Sequence, residues 1–162
     1  MKIFHLWFLS CTVLLLVGCH KNDAASAGKP VAVHHQHKPP HGGAPVELGE
    51  EENHVEFVRD AANGKLQAFV MDGELENFVR IAAPALEVTA KVSGRDEKLT
   101  LQPVANNATG EKVGETSQFE AQADWLKATP NFDAVLVAIT IRGKTYSNIT
   151  FNFPKGSDEN KK

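Results

Sequence analysis

Histidine side chains are the residues of this chain whose spacing could support chemistry. Four of them fall within eight residues, and a fifth follows at position 54. Neutral imidazoles bind Cu(II), Zn(II) and Ni(II), and a His-x-His pair can chelate from a flexible chain. The five are His34, His35, His37, His41 and His54. The pattern predicts a site for a divalent transition metal, Cu or Zn, and the alternative is a solvated linker that binds metal adventitiously.

Two of these histidines stand apart from the rest. His41 precedes a glycine pair that allows a sharp turn, and His54 opens a strand-like segment. We expect the chain to fold back so that the two rings meet, with an oxygen ligand from Glu47 or from the acidic run 50–52. The thioether of Met71 suits Cu(I), but packing is the simpler interpretation because the chain has no methionine-rich motif.

The elements that must position the histidines begin with a signal for export. A basic start and an apolar run over residues 12–17 are typical of a secretory signal, and the run is too short to cross a membrane. Leu16-Val17-Gly18-Cys19 resembles the bacterial lipobox. We therefore expect a signal peptide over 1–18 and a lipid anchor on Cys19, which place the protein in the bacterial cell envelope, on the periplasmic side or at the outer membrane. Cys11 is removed with the signal, which leaves no thiol for catalysis or ligation.

Composition divides the remaining chain into three parts. Small, polar and proline-rich residues predict a flexible linker over 19–40, and a charged tail follows over 155–162. The body, 41–154, shows alternating apolar segments separated by Gly and Asn-Gly turn signals. Strands are expected at 44–48, 54–59, 66–71, 78–82, 86–92, 98–102, 118–122, 132–141 and 145–153. One helical turn with Asp124 as N-cap is expected between the strands at 118–122 and 132–141. The pattern predicts an all-β antiparallel sandwich, immunoglobulin-like in outline, with a small barrel as the alternative.

Two classes of function are disfavoured. A formal net charge of −3 makes nucleic acid a poor partner. The sequence lacks the Gly-x-Ser-x-Gly, His-Glu-x-x-His, P-loop and dinucleotide-binding motifs, and no histidine follows position 54. We therefore do not expect an enzyme.

A family resemblance covers about residues 37–90. His41-Gly42-Gly43, the strand that opens with His54, and Gly64-Lys65-Leu66 leading to Met71-Asp72 resemble a small bacterial periplasmic domain. That domain occurs alone in lipoproteins and beside the adaptor subunits of heavy-metal efflux systems. The resemblance implies metal association at His41 and His54, and it does not imply an enzyme.

Two hypotheses follow from the sequence. In the first, a lipid-anchored protein binds a divalent metal through its histidines and serves a metal-efflux or other envelope protein as an accessory. In the second, the sandwich is a protein-interaction module of an envelope complex, and the histidine-rich segment is a spacer.

Overall fold

The computed structural model describes residues 38–157, which form eight antiparallel strands and one short helix. The strands are β1 (Ala44–Leu48), β2 (Asn53–Asp60), β3 (Lys65–Asp72), β4 (Leu86–Val92), β5 (Arg95–Pro103), β6 (Gln118–Gln122), β7 (Phe132–Ile141) and β8 (Lys144–Phe153). The helix α1 (Trp125–Ala128) lies between β6 and β7. The predicted all-β antiparallel fold is confirmed.

The strands are hydrogen-bonded in the order β1-β2-β3-β6-β5-β4-β7-β8. The first four and the last four form two layers, joined where Gln102 and Pro103 of β5 pair with β6. Between the layers, the ring of Phe57 stacks on that of Phe151 with centroids 4.5 Å apart. One hydrophobic core, which includes residues of all eight strands, fills this space. The arrangement is a sandwich with a nearly closed edge.

The closing seam lies between β1 and the residues that follow β8. Ser157 donates its backbone N–H to Pro45 O at 3.1 Å, and the Ser157 hydroxyl accepts the backbone N–H of Glu47 at 2.8 Å. Ordered structure therefore extends to Ser157, into the segment for which the sequence indicated a charged tail.

One local prediction was wrong, and another was confirmed in part. Residues 78–82 form no strand, because Phe78 bridges to Met71 while Ile81 bridges to Thr116, and two different neighbours give no continuous ladder. Asp124 is the N-cap residue of α1, as predicted, but its side chain makes no capping hydrogen bond. Its carboxylate instead accepts a hydrogen bond from Lys127 Nζ at 2.7 Å.

Candidate functional site

The outward face of β1, β2 and β3 carries a second, smaller cluster of side chains, most of which are buried. Val55 and Phe57 point into the main core, so His54 and Glu56 point to the other side of β2. These two are nevertheless only 2% and 0% exposed. We call this group the outer cluster; its members are His41, His54, Glu56, Phe69, Met71, Leu75 and Phe78.

The chain segment after β3 covers part of this face. Asp72 holds it in a turn, since its carboxylate accepts the backbone N–H groups of Glu76 and Asn77 and the side-chain amide of Asn77. Partial burial acts to raise the pKa of Asp72, but these hydrogen bonds to the charged form outweigh it and lower the pKa. The turn places Leu75 over the face, where it packs with Phe69 and Met71.

Glu56 anchors the N-terminal loop to β2. Its Oε1 accepts the backbone N–H groups of His41 and Gly43, at 2.9 and 2.8 Å. Its Oε2 lies 2.7 Å from Nδ1 of the His41 ring. A fully buried carboxylate is costly unless its oxygens accept hydrogen bonds, and here both do. The loop therefore has one defined position at its last turn before β1.

The His41 ring is fixed on two sides. It stacks on Phe69 with centroids 4.0 Å apart and an interplanar angle of 14°. Because a carboxylate only accepts, Nδ1 carries the hydrogen that faces Glu56. In the neutral ring, Nε2 then holds the lone pair. The side chain is 34% exposed, so one part of the ring reaches solvent.

His54 occupies the next row of the same face. In the register of the sheet it lies between Glu47 of β1 and Met71 of β3. Its Nδ1 is 3.4 Å from Asp72 O. The structure thus brings the two predicted histidines to one face. His41 lies at the edge of the outer cluster with a ring partly in solvent, and His54 lies inside it.

The other predicted ligands are distributed differently. His34, His35, His37 and the lipidation residue Cys19 lie outside the described residues. Glu47 Oε1 accepts the backbone N–H of Glu51 at 3.0 Å. Glu52 accepts hydrogen bonds from Lys144 and Tyr146, which lower the pKa of its carboxyl. Within residues 38–157, no three His, Cys, Asp or Glu side chains are grouped to hold a metal ion.

Glu56 was not among the site residues predicted from the sequence. Its alternation with Val55 and Phe57 indicated a solvent-facing position, whereas it is fully buried. A signal was present in that Glu56 follows His54 by two residues, which places both on one face of a strand. The burial itself depends on the loop 41–43 and on the segment after β3, and neither was visible in the alternation.

Within the described part of the chain, no helix has the length and apolar character needed to span a bilayer. Comparison with family models, curated proteins and solved structures finds no match to this chain. The function therefore has to be argued from the site itself.

Proposed function

We propose that this protein binds a divalent transition metal, Cu(II) or Zn(II), with His41 as the fixed ligand and with His34, His35 and His37, which we call the arm histidines, as further ligands. The observation that carries the proposal is the hydrogen bond between the His41 ring and buried Glu56. Histidines that ligate metals almost always donate their second ring N–H to a carboxylate, a carbonyl or water, which fixes the tautomer and raises ligand basicity.

The donor set suits the proposed metals. A partly exposed imidazole can bind Cu(II) or Zn(II), and the three arm histidines precede it within seven residues. His34, His35 and His37 would complete a site that residues 38–157 do not form by themselves. His54, inside the outer cluster, is the further ligand if the covering segment opens.

The remaining parts of the proposal follow from the N-terminal sequence. Lipid on Cys19 would anchor the protein in the bacterial cell envelope, facing the periplasm or at the outer membrane. There it would hold metal for an efflux protein or another envelope partner. The role is that of a binding protein and not of an enzyme.

Metal titration of the mature protein by calorimetry tests the proposal. We expect Cu(II) and Zn(II) binding to be lost when His34, His35, His37, His41 and His54 are all changed to Ala. Equal binding by the wild type and this variant would refute the proposal. The His20→Ala variant is the matched control, because it removes a histidine of the predicted linker that is not one of the proposed ligands.

The role of Glu56 is tested separately with Glu56→Gln. The amide keeps the shape of the side chain but removes its charge, so we expect metal affinity to fall about tenfold or more. Circular dichroism and thermal unfolding establish that the variant is folded. An unchanged affinity in a folded variant would mean that Glu56 serves only to anchor the loop.

A second function is favoured by one observation. Phe78 is 50% exposed and lies beside the His41 ring, at a centroid distance of 5.8 Å. Exposed aromatic side chains are enriched at protein interfaces, which supports an interaction module of an envelope complex. In that case we expect a partner to co-purify from solubilised envelopes with the variant that lacks residues 20–40. We expect the Phe78→Ala variant to lose that partner. Val113→Ala, at a side chain that is 67% exposed, is the control.

A further inference from the structure

A cleft of about 530 Å³ lies between residues 80–86 and the end of the β7–β8 hairpin. Its volume falls in the range of small-ligand pockets. Three consecutive residues of β7, Ala138, Ile139 and Thr140, line one side. Because neighbouring side chains of a strand point to opposite faces, consecutive lining residues indicate that the cleft follows the edge of the strand.

This edge is open because β4 pairs with only part of β7. β4 pairs with β7 only as far as Leu136, which lies opposite Val88. The next core position of β7 is Ile139, three residues on instead of two, and Asn148 on the partner strand has a φ of 56°. Beyond Leu136, β7 pairs with no described strand on its β4 side. Its backbone edge is therefore available for pairing.

The hairpin turn at the end of the cleft carries an arginine in a left-handed conformation. Arg142 has a φ of 49°, which costs energy in any residue other than glycine. The corresponding turn between β4 and β5 has the small Ser93 at the same φ. Arg142 is exposed and makes no hydrogen bond or ion pair with the described residues. Strain at a position that presents an unpaired cation favours a role for that cation.

The rest of the lining limits what could bind. Arg80 stands on the opposite side, where its guanidinium already donates to Thr109 O and lies 3.7 Å from Glu111. Ala83 and Ala85, both partly exposed, contribute apolar surface. A free guanidinium, an apolar floor and an open strand edge together match an extended peptide that carries a carboxylate.

We infer that this cleft binds an extended peptide segment, which pairs with the edge of β7 and places its terminal carboxylate on Arg142. The site shares no residue with the outer cluster. It therefore provides a protein-binding function besides the proposed metal site, and either can fail without the other.

Fluorescence anisotropy with a labelled peptide, Thr-Val-Thr-Val-Ala, tests the inference. We expect the peptide with a free C-terminal carboxylate to bind the wild-type protein about tenfold or more tightly than the same peptide with a C-terminal amide. Arg142→Gln is expected to abolish that difference. Arg95→Gln, at another exposed arginine next to a hairpin turn, is expected to leave it unchanged.

A third peptide separates strand pairing from simple ion pairing. Methylation of alternate backbone nitrogens removes the N–H groups that would pair with β7, and we expect it to weaken binding as much as amidation does. Equal affinity of the acid and amide peptides, or equal loss in Arg95→Gln, would refute the role of Arg142. Undiminished binding of the methylated peptide would refute pairing with the strand edge.

Discussion

The two layers of the sandwich differ in how far the outward-facing side chains of their strands are buried. On β2, Glu56 is fully buried in the outer cluster. On β4, Glu87 occupies an equivalent alternating position and is exposed. Both glutamates stand between apolar core residues in the sequence. Alternation therefore identifies which side of a strand meets the core, but it does not indicate what covers the other side.

The difference arises from chain segments outside the strands. The loop 41–43 is bonded to Glu56, and the turn organised by Asp72 brings Leu75 onto the face. The face of β4, β7 and β8 instead forms an open, polar depression lined by charged and amide side chains such as Lys91, Asp133 and Asn152. Where a loop or turn lies over the outward face, polar side chains on that face become buried and need hydrogen-bond partners within the protein.

Replacing the two glutamates by alanine should give the largest contrast. Glu56→Ala leaves two loop N–H groups and the His41 ring without their acceptor, and we expect the free energy of unfolding to fall by about 3 kcal/mol. Glu87→Ala should change it by less than about 0.5 kcal/mol. Urea unfolding at neutral pH measures both. Equal losses would contradict the distinction between the faces.

Two glycines provide a second, smaller contrast. A methyl group on Gly43 would meet the backbone of Phe57 and lie 2.8 Å from Val58 Cγ2, whereas one on Gly94 would meet nothing within 4 Å. We expect Gly43→Ala to cost about 2 kcal/mol, by overpacking against β2. Gly94→Ala should cost about 1 kcal/mol, from its positive φ alone. If thermal unfolding showed a larger stability loss for Gly94→Ala than for Gly43→Ala, the loop would be able to move away from β2 at little cost.

Acid should loosen the covered face through Asp72. Its pKa is lower in the folded protein than in the unfolded chain. The stability that it contributes is therefore fully present above the unfolded pKa, about 3.9, and is lost as the pH falls through the folded value. We expect the Asp72→Asn variant to lose less stability than the wild type between pH 5 and acid pH, as measured by urea unfolding at each pH. Parallel pH profiles would contradict this.

Much of the strand pattern was predictable from local signals. Alternation located β2 and β8, and Asn63-Gly64 marked the β2–β3 hairpin, because these signals depend on neighbours in sequence. The failure at residues 78–82 has a different origin. Those residues are apolar and alternate, but their partners lie on β3 and near Thr116, so their conformation is set by distant contacts.

The candidate site was predictable only in part. The glycine pair correctly indicated that the chain turns sharply after His41, and the structure places His41 and His54 on the same face. The role of Glu56 required knowledge that the loop lies on β2 and that the segment after β3 covers the face. The first is a contact between residues 13 apart, Gly43 and Glu56, and the second depends on the turn that folds Leu75 back onto β3, so the alternation of β2 contains neither.

The contact between Pro45 and Ser157 makes the fold suitable for circular permutation. Because a hydrogen bond links these residues, the two ends of the described fold lie side by side. A short linker could join them and new termini could be opened in the exposed loop at residues 107–110, which would give a circular permutant with every strand pairing intact. Such a permutant would detach the domain from the histidine-rich arm while leaving His41 and Glu56 within one continuous chain.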